Sequence, residues 1–84
     1  MPKFLTFHCE PEKTWEKLEE AYRQLAKETT AVWIRTYYQR EKGRRICERD
    51  APSEESIIVI FKRMGITWDE ILAVEEILPS RWRQ

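Results

Sequence analysis

The feature that most constrains this chain is the order in which strand-like and helix-like hydrophobic patterns follow one another. β-Branched and aromatic residues or alternating polarity predict strands in four segments, namely 3–8, 31–39, 44–50 and 71–78. Helical spacing is found over residues 12–28, where apolar side chains recur at Trp15, Leu18, Tyr22 and Leu25. A second helix over 53–64 completes the order strand, helix, strand, strand, helix, strand.

The second helix needs its own argument, because the run Ile57–Phe61 is apolar enough to be a buried strand. Ser53 precedes the run as a suitable N-cap, and two glutamates follow where the helix end favours negative charge. Basic residues fall in the last turn, and Gly65 stands at the C′ position. These end signals favour a helix, with a buried stripe formed by Ile57, Ile60, Phe61 and Met64.

This order of elements predicts an α+β fold of the ferredoxin-like type, β-α-β-β-α-β, with a four-stranded antiparallel sheet in spatial order 4-1-3-2. All 84 residues form one domain, with 79–84 as a tail. Both helices should cover one face of the sheet, and nothing in the chain covers the other. A chain this short has a thin core, so we expect it to pair with itself through the uncovered face as a dimeric α+β barrel.

The alternation of side chains along a strand assigns residues to the two faces. On the second strand, Val32 and Ile34 suit the helix-covered core, which places Trp33, Arg35 and Tyr37 on the uncovered face. On the first strand, Leu5 and Phe7 are the expected core residues, and the uncovered face would carry Phe4, Thr6 and His8. Exposed aromatic rings are costly, so a partner chain or a ligand should cover them.

The hairpin around Gly43 leaves two registers open. A three-residue loop aligns Tyr37 with Cys47 and Arg35 with Arg49, whereas a four-residue loop aligns Tyr37 with Ile46 and Arg35 with Glu48. A slip of one residue exchanges the faces of the whole strand, so the facing of 44–50 depends on the loop.

Composition excludes several classes of function. Fifteen basic residues balance fifteen acidic ones, and no basic run suggests nucleic acid as a partner. Cys9 and Cys47 form neither a C-x-x-C pair nor a zinc-finger set, so we expect reduced thiols, with Cys47 buried and inert. The N-terminus lacks a signal-peptide pattern and no segment is apolar enough for a membrane span, so we expect a cytoplasmic protein.

The candidate binding residues are those expected on the uncovered face. Trp33, Arg35 and Tyr37, with His8, would bind an anionic or aromatic ligand, because a guanidinium between aromatic rings can hold a carboxylate. His8 is the single histidine, and histidines serve as metal ligands, proton-transfer groups or hydrogen-bonded surface residues, of which the last is the favoured interpretation here. With Glu48 it would offer nitrogen and carboxylate donors that suit zinc or nickel.

The chain resembles a family of small bacterial ferredoxin-like domains of unknown function that includes a nickel-binding protein. The similarity spans about residues 3–77 and rests on His8, the run 33–38, Gly43, Cys47, 51–53, Gly65 and 69–71. The resemblance implies a homodimer joined through sheet faces and a transition metal such as nickel as a cofactor. Relatives often carry histidines where this chain has Ile60, Phe61 and Met64, so we expect weaker nickel binding here.

Three functions compete. The first is a non-enzymatic homodimer that binds a metal ion or a small ligand. The second is a cofactor-free oxygenase or isomerase of the dimeric α+β-barrel type, with His8, Arg35 and Tyr37 as base, anion anchor and hydrogen-bond donor. The third is an accessory subunit whose exposed aromatic residues dock another protein. The tail residue Trp82 is either frayed or laid on a partner subunit.

Overall fold

The computed structural model describes residues 1–83 and confirms the predicted order of elements. In chain order these are β1 (Lys3–Cys9), α1 (Trp15–Leu25), β2 (Val32–Gln39), β3 (Arg44–Asp50), α2 (Glu54–Met64) and β4 (Glu70–Val74), followed by a short 3-10 turn (Pro79–Arg81). Gln84, the last residue of the predicted tail, lies outside the described residues.

The sheet is antiparallel with strand order β2-β3-β1-β4, which is the predicted 4-1-3-2 order. Both helices lie on one face, and the apolar core is the layer between them and the sheet. As the end signals predict, Ile57, Ile60 and Phe61 of α2 are buried, and Met64 packs against them. Among residues 1–83, no helix is both long and apolar enough to cross a membrane.

Capping residues determine where each helix begins. Helix α1 starts at Trp15 rather than near residue 12, because Thr14 is the N-cap and its hydroxyl accepts a hydrogen bond from the Lys17 amide. Ser53 caps α2 in the same way, through the Ser56 amide. Gly65 ends α2 in the left-handed conformation, φ 69°, that a residue with a side chain rarely adopts.

The last strand is shorter than predicted. The expectation of a strand through residue 78 is wrong after Val74, because β4 extends only as far as its partner does. Val74 pairs with Lys3, the first residue of β1, and the next residue back is Pro2, which has no amide hydrogen to donate. Residues 75–78 therefore leave the sheet.

A β-bulge in β2 corrects the predicted facing of its first half. Paired residues of an antiparallel ladder share a face, and the pairing of Trp33 with Arg49 is followed directly by that of Arg35 with Glu48. Ile34 is thus the extra residue, and it reverses the alternation. Arg35 and Tyr37 lie on the uncovered face, as predicted. Contrary to expectation, Trp33 faces the helices and Val32 lies on the uncovered face.

The predicted facing of β1 is also wrong. Phe4, Thr6 and His8 are buried beneath the helices, whereas Leu5 and Phe7 lie on the other face. Hydrophobicity alone assigns Leu5 and Phe7 to the helix-covered side. That side instead accommodates hydrogen-bonded polar groups alongside its apolar core, and Phe4 belongs to that core.

The hairpin adopts the four-residue alternative. Gln39 pairs with Arg44, residues 40–43 form the loop, and Tyr37 stands opposite Ile46. Gly43 has φ 65° and its carbonyl accepts a 2.9 Å hydrogen bond from the Glu10 amide. A Cβ on Gly43 would lie 2.3 Å from the Cα atom of Pro11, so this close approach needs glycine.

Candidate functional site

The face of the sheet that no helix covers is called the open face here. The side chains that make it partly apolar come from all four strands and are Leu5, Phe7, Val32, Tyr37, Ile46, Leu72 and Val74. Tyr37 and Ile46, which pair across β2 and β3, are 63% and 41% exposed, and Leu72 on the edge strand β4 is 39% exposed. The open face is therefore a surface on which a partner or a ligand would gain apolar contact.

A charged row crosses the open face between β1, β2 and β3. Arg35 Nε lies 3.2 Å from Glu48 Oε1, and Lys3 contacts the same carboxylate on its other oxygen. Lys3 Nζ is also 3.5 Å from Asp50 Oδ1. The hydrogen bond to Glu48 raises the pKa of Lys3. Two cations and two anions thus neutralise one another, so Arg35 is held in position rather than free.

His8 lies on the opposite face from Arg35 and Tyr37. Its Nδ1 is 2.7 Å from the Thr67 carbonyl oxygen and therefore donates, which leaves Nε2, 3.0 Å from Thr6 Oγ1, as an acceptor. Burial lowers the pKa of His8 to about 4, with Arg45 and Arg49 adding to the effect. Both nitrogens of the neutral ring are engaged, so the ring offers no free lone pair to a metal.

Trp33 lines a groove beside β2 on the helix-covered side. Its ring stacks on Tyr22 at 4.9 Å between centroids, and its Nε1 donates to Thr36 Oγ1 at 2.8 Å. The groove has a volume of about 400 Å³, and Arg40 lies 4.7 Å over the ring of Trp15 at its other end. The prediction that Trp33 flanks Arg35 on the open face is therefore wrong.

The sequence-predicted site residues thus divide between two faces. Arg35 and Tyr37 share the open face, while His8 and Trp33 lie under the helices. Glu48 also lies on the open face, so His8 and Glu48 point away from each other. Within residues 1–83 of one chain, no three metal-ligating side chains cluster.

Sequence reasoning missed a group of buried polar residues on the helix-covered side of β3. Arg45 is 5% exposed and Arg49 2%, although arginine is rarely buried. Arg45 Nη2 donates to Glu10 Oε1 at 2.8 Å, and Arg49 Nε lies 3.4 Å from Thr6 Oγ1. The only signal was the strand period, which places positions 45, 47 and 49 on one face once the loop length is known.

These features define the class: a small ferredoxin-like domain with one uncovered, partly apolar sheet face. The family profile described as nickel responsive protein SCO4226-like matches residues 4–74. The chain therefore belongs to that family, which confirms the resemblance drawn from the sequence.

A solved structure supports the fold. The crystal structure of SCO4226 from Streptomyces coelicolor A3(2) matches with a TM-score of 0.75 and 21% sequence identity, covering 90% of this chain and 99% of that one. A comparison with curated protein sequences gives no match. At this identity the structural likeness establishes the fold alone.

Proposed function

We propose that this chain is a homodimeric, non-enzymatic binding protein whose two sheets pack through their open faces. The observation that carries the proposal is the partly apolar open face, where the paired Tyr37 and Ile46 are exposed, as is Leu72 at the opposite edge of the sheet. Each square ångström of apolar surface removed from water contributes roughly 25 cal/mol, which offsets the entropy lost on association. A second copy of a thin domain gains from the same contact, which makes the pairing self-complementary.

The charged row is compatible with burial in such an interface. Lys3 and Arg35 balance Glu48 and Asp50, so covering them leaves no net charge unpaired. Removing one member would leave a charge buried without its partner, which costs far more than an exposed ion pair contributes. Arg35 accordingly has a role in holding the interface, besides any role toward a ligand.

The interface is tested by sedimentation equilibrium on matched variants. Ile46→Glu places a carboxylate in the apolar part of the open face and should weaken the dimer by about a hundredfold or more, from the cost of burying an unpaired charge. Val59→Glu places the same group on α2, where Val59 is 63% exposed, and should leave the dimer intact. A wild-type protein that remains monomeric at micromolar concentration contradicts the proposal.

Within the dimer we propose a site for a small anionic or aromatic ligand beside Arg35 and Tyr37. Tyr37, Arg44 and Ile46 line an open cavity of about 530 Å³ on this side of β2 and β3, within the range of small-molecule sites. The Tyr37 ring would stack on a planar ligand, and Arg35, two residues away on the same face, would bind its carboxylate through nitrogens other than Nε.

Benzoate is the probe that tests this site. It should shift the ring resonances of Tyr37, and Arg35→Lys should weaken its binding about tenfold, because lysine retains the charge but not the paired donors. Benzyl alcohol, which lacks the carboxylate, is the matched control and should bind more weakly. Failure of benzoate to bind the wild type, with loss of the dimer in Arg35→Ala, would leave Arg35 an interface residue only.

Nickel is the metal that the family description suggests, and we propose that this chain binds it weakly. His8 is its single histidine and engages both ring nitrogens in the core. A tight site would need a donor set assembled from two copies or a rearranged His8.

The enzyme alternative is less well supported, because it required His8, Arg35 and Tyr37 to act on one substrate. The sheet separates His8 from the other two. The accessory-subunit alternative shares the open face with the dimer and is favoured if the wild type is monomeric.

A further inference from the structure

A small cavity lies between α1 and the helix-covered face of the sheet. It has a volume of about 20 Å³, which is room for one water-sized occupant. Four apolar side chains line it, together with polar or charged ones on several elements, namely His8, Lys13, Tyr22, Arg45, Cys47 and Arg49. This density of polar groups is unusual for an internal cavity, since empty cavities in proteins are apolar.

Several hydrogen-bonding groups beside this cavity have no protein partner. Within residues 1–83, Nε and Nη1 of Arg45 and the hydroxyl of Tyr22 are buried and make no hydrogen bond. Nearly all buried polar groups of native proteins are satisfied by protein or by an ordered occupant. Both arginine nitrogens can only donate, so the missing partner must accept.

The charges around the cavity have the same sign. Arg45 has one carboxylate partner, Glu10, which is shared with Lys13 at 3.1 Å. Arg49 forms no ion pair among residues 1–83, and its guanidinium lies 4.8 Å over the ring of Phe61. His8 is uncharged at neutral pH, because burial lowers its pKa to about 4. Three cations, Lys13, Arg45 and Arg49, surround the single carboxylate of Glu10, so the cavity is electropositive.

We propose that this cavity binds a single monovalent anion of halide size, such as chloride, through Arg45 and the Tyr22 hydroxyl, with Arg49 supplying further positive charge. A water molecule also accepts a hydrogen bond from such donors, but it carries no charge to balance the excess of cations around the cavity. Carboxylates and phosphates exceed the volume. A halide accepts from the donors that face the cavity and balances the positive charge that Glu10 leaves uncompensated.

Crystals of the full chain soaked in sodium bromide locate the anion directly. The proposal predicts an anomalous bromide peak between Arg45 and Tyr22. Density for a water molecule without anomalous signal at that position, under conditions where bromide binds elsewhere on the protein, overturns it.

The solution test compares thermal unfolding in sodium chloride and in sodium gluconate at equal ionic strength, since gluconate is too large for the cavity. Chloride should raise the Tm more than gluconate, because an anion that binds only the folded state stabilises it. Tyr22→Phe retains the ring stack on Trp33 and should weaken the apparent chloride affinity about tenfold, the value of one hydrogen bond to a charged group.

Tyr38→Phe is the matched control, because Tyr38 stacks on Trp15 outside the cavity, and it should keep the wild-type chloride response. Equal Tm values in the two salts for the wild type contradict the proposal. An identical chloride response in wild type and Tyr22→Phe would contradict the role of the hydroxyl.

Discussion

Acidification should destabilise this protein through His8, and the structure gives the size of the effect. In the folded state the neutral ring donates from Nδ1 to Thr67 and accepts at Nε2 from Thr6. Protonation converts Nε2 to a donor, so the bond from Thr6 is lost in its present form. It also places a third cation beside Arg45 and Arg49, both of which lower the pKa of His8.

The sign and the pH window follow from linkage. Above pH 6.5 the ring is neutral in both states, and the full stability is present. Between pH 6.5 and about pH 4 the unfolded chain binds a proton that the folded protein does not, so the free energy of unfolding decreases as the pH is lowered. At about 1.4 kcal/mol for each pKa unit, the loss reaches about 3 kcal/mol by pH 4, with roughly two thirds present by pH 5.

Urea unfolding between pH 7.5 and 4 measures this loss, and His8→Gln is the control, because glutamine does not titrate. Carboxylates also weaken the fold in acid. Burial raises the pKa of Glu10, but hydrogen bonds from Arg45 and Lys13 outweigh this effect and lower it. The difference between the wild type and His8→Gln therefore isolates His8. NMR gives the pKa directly from the resonance of the single histidine. A native pKa near 6.5, or parallel pH profiles for both proteins, would refute the reasoning.

Three further predictions concern stability and metal. Gly43→Ala should destabilise the fold by roughly 3 kcal/mol or more in urea unfolding, because the added Cβ would clash with the backbone of Pro11. The Cβ added in Gly65→Ala meets nothing within 4 Å, so that variant should lose only about 1 kcal/mol through backbone strain. Equal losses in the two variants would contradict this prediction. Ser53→Ala should cost about 1 kcal/mol by removing the α2 cap, and an unchanged denaturation midpoint would refute that role. Calorimetry should show weak or undetectable nickel binding, and submicromolar stoichiometric binding that His8→Ala abolishes would contradict this prediction.

The order of elements could be predicted because local signals agree with the fold. Ser53 and Gly65 bound α2 in the sequence as they do in the structure, and they decide the helix over the strand-like run Ile57–Phe61. The choice between a three-residue and a four-residue hairpin loop at Gly43 depends on a tertiary contact. The Glu10 amide bonds to the Gly43 carbonyl, a pairing that no local pattern contains.

The composition of the faces was not predictable to the same degree. The bulge at Ile34 reverses the facing of one residue pair, and no glycine or proline at that position indicates it. Arginine is rarely buried, yet contacts from Glu10, Thr6 and the Phe61 ring hold Arg45 and Arg49 under the helices. These contacts join residues far apart in the sequence, so strand alternation alone could not reveal them.

The central claim is that two copies pair through their open faces, and intermolecular NOEs in a sample mixed from isotope-labelled and unlabelled protein test it most directly. The account predicts NOEs between copies among Leu5, Tyr37, Ile46 and Leu72, which the open face brings together. Val59 on α2 should show none. Intermolecular NOEs at Val59 with none on the open face, or no intermolecular NOEs at concentrations well above those of the sedimentation experiment, would contradict the claim.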